Sequence, residues 1–155
     1  MPNTDHGVQN GSTAVFSNTT IRQTLQLSLA AQEIRIRLSN TFGLNDLKIT
    51  KATIGLPEKQ KVGVSGLQKK TLKTISFNGS PDVEIPKGGL VVSDPIKFPT
   101  KAQSALMINI YLEEGQQGFS LTGHPGSRTT SYLDFGDWTG AEDLTGASVK
   151  STDHW

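Results

Sequence analysis

The sequence predicts an all-β protein, an antiparallel β-sandwich of jelly-roll-like form with about ten short strands. Three observations favour this fold. Apolar and polar residues alternate with a period of two through much of the chain, most clearly in Ala105–Leu112. Glycine and proline, at 16 and 7 of 155 residues, separate these runs at short intervals. No window of about a dozen residues shows a helical period.

Length and composition indicate one domain without covalent cross-links. We expect residues 1–13 to form a flexible N-terminal segment and residues 14–155 to form a single β-sandwich domain. The formal net charge is +1 and there is no cysteine. Neither a strongly charged nucleic-acid surface nor a thiolate metal site is therefore expected.

The first strands are predicted at Ile21–Leu29 and at 34–38. In the first, Leu25, Leu27 and Leu29 share one face, and in the second, apolar residues alternate with arginines. The two runs are separated by a short polar stretch. This pattern predicts a hairpin with one buried face and one solvated face.

In Leu47–Leu56 the apolar positions change from odd to even numbers near Lys51. Such a phase switch predicts a β-bulge, in which one extra residue turns the strand over. Further strands are predicted at Leu72–Phe77, Val83–Ile85, Leu90–Val92, Ile96–Phe98, Ala105–Leu112, Phe119–Leu121 and Thr129–Phe135. The lysine- and glycine-rich stretch Pro57–Lys70 is predicted to be a long exposed loop.

The motifs of hydrolytic and cofactor chemistry are missing from the sequence. There is no G-x-S-x-G elbow, which would present a nucleophilic serine on a sharp turn. The three histidines, His6, His124 and His154, lack the spacing of metal ligands. No phosphate loop or dinucleotide fingerprint is present. We therefore assign no catalytic residue, metal or cofactor, and enzymatic activity of this chain stays an open question.

Two short motifs are candidates for a substrate cleft or an interdomain contact. In the first, Arg37 precedes the turn that contains Asn40 and Phe42. In the second, a Gly-His-Pro-Gly turn presents His124 and Arg128. Each motif can instead be structural, with Asn40 bonding within a turn, Phe42 in the core and Arg128 paired with a carboxylate, and the turn-forming residue types favour this interpretation. Both interpretations remain open.

Trp138 and the asparagines add weaker candidates. An exposed Trp138 could stack on a sugar, although covering the core or contacting another domain is the more common role. Asn10, Asn18 and Asn78 begin Asn-x-Ser/Thr sequons, which suit glycosylation but also arise by chance. The polar N-terminal residues do not resemble a signal peptide.

Two blocks carry a resemblance to a known family. They are IRIRLSNTFG at 34–43 and TGHPGSRTTSY at 122–132, supported by LQLSL at 25–29, VVSDP at 91–95 and a closing HW at 154–155. Together and in this order they resemble the β-rich N-terminal region of two-part, secreted SGNH (GDSL-type) esterases. In that family the catalytic blocks lie downstream, and Gly136-Asp137-Trp138 has tryptophan where the family's Gly-Asp-Ser nucleophile would stand.

The resemblance implies a function without catalysis in this chain. It implies an accessory sandwich that braces an SGNH hydrolase domain in the same polypeptide and shapes its substrate cleft. It also implies an extracellular parent enzyme acting on small or carbohydrate-linked esters. Two alternatives stay open: a stand-alone carbohydrate-binding sandwich using Trp138, Tyr132 and His124, and a scaffold or partner subunit. Neither nucleic acid nor membrane is an expected partner.

Overall fold

The computed structural model describes residues 14–124, 126–144, 146–147, 149–151 and 154. Residues 1–13 lie outside this description, so the flexible N-terminal segment stays a prediction. The all-β prediction is confirmed, because the described residues form strands, turns and only two short 3₁₀ turns, Glu58–Gln60 and Lys69–Thr71. The strands pair antiparallel in open layers, as in a β-sandwich.

The described part of the chain contains fourteen strands, most of them short. The first seven are β1 (Ala14–Val15), β2 (Thr19–Gln26), β3 (Ala31–Ile34), β4 (Arg37–Ser39), β5 (Leu47–Ile49), β6 (Lys51–Gly55) and β7 (Lys73–Thr74). The others are β8 (Val83–Ile85), β9 (Leu90–Val92), β10 (Ile96–Thr100), β11 (Ala105–Leu112), β12 (Gln116–Gln117), β13 (Ser131–Phe135) and β14 (Val149–Ser151).

One layer is a six-stranded antiparallel sheet in the order β14-β13-β2-β11-β6-β7. Its centre is the long pairing of β2 with β11, which runs from Thr19 opposite Leu112 to Gln26 opposite Ala105. Along β11, Leu106, Ile108 and Ile110 point to one face and join the core, as the period of two requires.

The second layer is a long two-stranded ribbon. The successive strands β3, β4 and β5 run antiparallel to β10, β9 and β8, from Ala31 opposite Thr100 to Ile49 opposite Val83. The ribbon covers the inner face of the six-stranded sheet. Buried side chains of the ribbon, such as Ile85 and Phe98, share one core cluster with those of the sheet. The hydrophobic core therefore lies between the ribbon and the sheet.

The outer face of the six-stranded sheet is also covered. Ser65, Gly66 and Leu67 are buried, although Pro57–Lys70 was predicted to be a long exposed loop. The prediction was wrong for this part because the segment packs over the sheet together with residues 136–144. Hydrogen bonds from the sheet to both segments, described below, hold them there.

The predicted hairpin between the first two runs was wrong. Strand β2 pairs with β11 and β13, whereas β3 pairs with β10, so the connection between them crosses from one layer to the other. Strand β2 also ends at Gln26, before the predicted end at Leu29. Leu27 is partly buried against the core, and Leu29 is exposed in the turn that leads from one layer to the other. Alternation identifies a buried face but not the strand opposite it.

The phase switch near Lys51 is real, but its predicted cause was wrong. Strand β5 pairs with β8 in the ribbon, and β6 pairs with β11 in the sheet, with only Thr50 between them. The side chains therefore change parity where the chain passes from one layer to the other. No bulge within a single strand is needed to explain the pattern.

Other strand predictions met mixed outcomes. Val83–Ile85, Leu90–Val92 and Ala105–Leu112 are confirmed as strands with the predicted bounds. Of the predicted strand at 72–77, only Lys73–Thr74 pairs with a neighbouring strand. Residues 119–121 form no strand. Residues 119–121 follow β12 as an irregular segment whose Phe119 side chain faces solvent.

Candidate functional site

The two blocks that carry the family resemblance meet at one edge of the sandwich. The backbone N–H of Phe42, in the first block, donates to Thr122 Oγ1, in the second, at 3.0 Å. Nearby, Asn45 Nδ2 donates to the carbonyl of Gln117 at 3.1 Å. These bonds hold residues 40–46 beside residues 117–122. Positions about 80 residues apart in the chain thus form one surface.

Asn40 organises this edge from within. Its side chain is fully buried, and its Nδ2 donates to the carbonyls of Asn45 at 2.9 Å and Ile85 at 3.1 Å. Its backbone carbonyl accepts from the N–H groups of Gly43 and Gly88, both at 3.0 Å. One asparagine therefore fixes two loops, as buried polar groups with several partners commonly do.

Gly43 completes this arrangement. A Cβ atom at Gly43 would lie 1.8 Å from Asn40 Oδ1, so no larger residue fits while Asn40 keeps its position. The Asn-Thr-Phe-Gly motif is thereby explained as a packing unit: the side chain of Asn40 occupies the space that a larger residue would need three positions later, at Gly43. Asn40 Oδ1 itself has no hydrogen-bond partner among the described residues.

Three large apolar side chains project into solvent from the joined loops. Phe42, Leu44 and Phe119 are 68, 70 and 67% exposed. We call Phe42, Leu44 and Phe119 the apolar edge. Large apolar groups clustered on a surface rimmed by polar ones are typical of sites that contact another protein. Of the predicted site residues, Phe42 belongs to this edge and Asn40 supports it from below.

His124 and Arg128 continue from the apolar edge along the second block. Both are exposed, and Arg128 forms no ion pair with a described carboxylate. His124 exchanges two backbone hydrogen bonds with His154, at 2.7 and 3.2 Å. Partial burial lowers the pKa of His154, and the nearby His124 lowers it further. The bridge fastens the C-terminal end of the described chain to the second block.

The remaining predicted site residues lie elsewhere. Arg37 is exposed on β4, opposite Val92. Trp138 lies over the outer face of the sheet, partly exposed, and its Nε1 donates to the carbonyl of Phe135 at 2.5 Å. Asn18 and Asn78 are exposed, each with a positive φ, in tight turns. Asn10 lies outside the described residues.

A buried arginine that sequence reasoning missed anchors the outer face. Arg22 is fully buried on β2, and its Nε donates to Asn109 Oδ1 at 2.5 Å. Its other nitrogens donate to the carbonyls of Ser65 at 2.6 Å and Ala141 at 2.7 Å, and more weakly to that of Trp138 at 3.2 Å. Burial lowers the pKa of Arg22 to about 10, against the opposing effect of Asp143.

The Arg22 centre is structural in its chemistry. Its bonded donors all point to protein oxygens, so it holds both covering segments on the sheet rather than facing a substrate. Asn109 extends the network by donating to Thr53 Oγ1 at 3.0 Å, and Thr53 donates to the Thr139 carbonyl at 2.9 Å. In the sequence, Asn109 could have indicated this buried network, because it is a polar residue within the apolar strand β11, on the side opposite the core.

Two kinds of feature are absent from the described residues. They contain no group of three or more histidine, cysteine, aspartate or glutamate side chains that could hold a metal ion. Within the same residues, no helix is long and apolar enough to cross a membrane. No protein-family model and no curated protein matches the sequence.

Proposed function

We propose that this chain is a non-catalytic accessory β-sandwich that braces an SGNH-type hydrolase domain and shapes one wall of its substrate cleft. The observation that carries the proposal is the meeting of the two resemblance blocks at the apolar edge. Sequence segments joined only by the fold share one exposed surface, and three large apolar side chains project from it. This is the arrangement expected of a face that packs on a neighbouring domain.

The energetics of the apolar edge support a permanent neighbour. Three large apolar side chains lie more than half exposed, and covering each would contribute on the order of 1.5–3 kcal/mol at most. The loops beneath them are held by Asn40 and by the bond from Phe42 to Thr122. A rigid apolar surface loses little conformational entropy on docking, which favours a fixed interdomain contact.

The neighbouring residues suit a contact at the rim of a cleft. His124 and Arg128 are exposed in the block that continues from the apolar edge. A cation and an imidazole beside an interface can orient an ester substrate or pair with carboxylates of the second domain. Catalysis itself is assigned to the hydrolase domain, in agreement with the absence of a nucleophile elbow from this sequence.

The coding sequence downstream of Trp155 gives the first test. An in-frame Gly-Asp-Ser block supports the proposal, and a stop codon or an unrelated domain contradicts it. A second test mixes this chain with that hydrolase domain, produced separately, and measures association by calorimetry. We expect binding by the unmodified chain and at least tenfold weaker binding by a Phe42→Ser, Phe119→Ser variant.

Leu29→Ser is the matched control for the association test. Leu29 is 79% exposed, and it lies at the opposite end of the sheet, where Leu27 N–H donates to the Ser104 carbonyl. Equal loss of binding in both variants would contradict docking at the apolar edge. Serine-dependent hydrolysis of p-nitrophenyl acetate by this chain alone would contradict its non-catalytic role.

A further inference from the structure

An apolar pocket opens between the two layers beside the apolar edge. It has a volume of about 70 Å³. Its floor consists of buried aliphatic side chains from both layers: Ile21, Ile49, Ile85, Ile110 and Leu112. The pocket is thus a gap in the core packing, at the end of the sheet where β11 ends at Leu112.

The rim of the pocket is partly exposed and partly polar. Phe16, Leu38 and Leu121 form its apolar part, and Thr122 contributes a hydroxyl group. Ser39 also lines the rim, but its hydroxyl is hydrogen-bonded to Thr41 Oγ1 at 2.7 Å. The polar side chains of Asn40 and Gln116 complete the lining. Thr122 Oγ1 accepts the bond from the Phe42 N–H, which leaves its own O–H as a donor toward a ligand. None of the described side chains that line the pocket carries a charge.

We infer that this pocket binds a short aliphatic chain with an uncharged polar head, the chain lying between the layers and the head at the Thr122 hydroxyl. Room for roughly five water-sized groups suits a chain of about five carbons. The aliphatic floor offers water no hydrogen-bond partners, so water competes only weakly for this part of the pocket. A charged head would find no opposite charge at the rim and would be disfavoured.

The inference does not rest on the proposed function. It concerns this chain alone and stands whether or not a hydrolase domain covers the apolar edge. The ester of a short fatty acid and a free aliphatic alcohol share an apolar chain and an oxygen that can accept a hydrogen bond from the Thr122 hydroxyl. Pentan-1-ol is therefore a suitable probe, and pentane-1,5-diol is its matched comparison.

The experiment titrates the full chain, labelled at isoleucine and leucine methyl groups, with pentan-1-ol and follows ¹H–¹³C NMR spectra. We expect saturable shifts confined to methyl groups of the pocket floor, such as those of Ile49 and Ile85. Binding of the diol should be at least tenfold weaker, because its second hydroxyl would lie against the aliphatic floor, which offers no hydrogen-bond partner. Shifts that do not saturate, or equal binding of the diol, would overturn the inference.

A variant pair locates the site. Leu121→Trp narrows the rim and should weaken pentan-1-ol binding at least tenfold, whereas Leu29→Trp places the same side chain at the far end of the sheet and should leave binding unchanged. Unchanged binding by Leu121→Trp, or equal loss in both variants, would also overturn the inference. If Leu121→Trp does not fold, the comparison of alcohol and diol on the unmodified chain decides.

Discussion

The two faces of the six-stranded sheet are both buried, but by different chemistry. On β2, Ile21 points inward to aliphatic side chains, and the next residue, Arg22, points outward into a network of carbonyls and side-chain oxygens. The inner face needs only apolar volume, so many residues would serve there. The outer face needs a particular set of donors and acceptors, because unpaired buried polar groups are costly.

The outer face shows how irregular segments are held on a sheet. The covering segments at 57–70 and 136–144 expose backbone carbonyls toward the sheet, and an apolar face would leave them unsatisfied. Arg22 provides several donors from a single side chain, which matches the several carbonyls above it. Polar residues on the outer face therefore serve the same structural purpose as isoleucines on the inner face.

The strongest test of the comparison is Arg22→Met, which keeps the volume and removes the donors. The Ser65 carbonyl and Asn109 Oδ1 lose buried bonds, and each unsatisfied group costs about 1–3 kcal/mol, so we expect a loss of about 4 kcal/mol. Urea denaturation measures the free energy of unfolding. Arg37→Met is the control; a loss there comparable to that at Arg22 would contradict this account.

The inner face is tested by Ile54→Ala. Ile54 is fully buried in the core cluster, and removing three carbons there should lower the free energy of unfolding by about 3 kcal/mol. Ile54→Val should cost only about 1 kcal/mol, because the inner face responds to volume. If both variants cost the same in urea denaturation, packing volume does not govern this face.

Asn40 and Gly43 test whether a second buried polar group depends on specific neighbours, here in the loop that follows β4. Asn40→Ala removes the bonds to the Asn45 and Ile85 carbonyls and should cost about 2 kcal/mol. Gly43→Ala should also destabilise, because its Cβ would collide with Asn40 Oδ1. In the double variant the collision is absent. The double variant should therefore lose less stability than the sum of the losses in the two single variants.

A double-mutant cycle by thermal or urea unfolding measures this coupling, which we expect to exceed about 0.5 kcal/mol. Gly79→Ala serves as a comparison, since Gly79 has a positive φ but no neighbour near its Cβ position. Strictly additive costs at Asn40 and Gly43 would show that the glycine is needed for another reason.

The pH dependence of stability that His154 contributes should be smaller than the effects above. The folded pKa of His154 lies below its ordinary value of 6.5, so the unfolded chain binds a proton more readily. Stability from this group is therefore full above about pH 6.5 and falls as the pH drops through the lower folded pKa. An NMR titration of His154 should show a higher pKa in His124→Gln; an unchanged or lower value would contradict the effect of His124.

Sequence patterns predicted part of the candidate site but not its assembly. The turns around Asn40 and His124 were identified from their residue types, which favour tight turns. That Phe42 and Thr122 would meet was not predictable, because period-two alternation carries no information about which segments pair. Leu44 was missed because an isolated apolar residue in a loop is expected to find the core. Phe119 was missed because it was predicted to lie in a strand at 119–121, which the structure does not form.

Local physical chemistry in the sequence determined the strand-rich character, the positions of the turns and the apolar face of strands such as β11. Each of these depends on neighbouring residues through backbone geometry and side-chain alternation. Only the tertiary structure decided the layer to which each strand belongs, the burial of Arg22 and the apolar edge. These depend on contacts between distant segments, where burial and hydrogen-bond satisfaction act together and outweigh local preference.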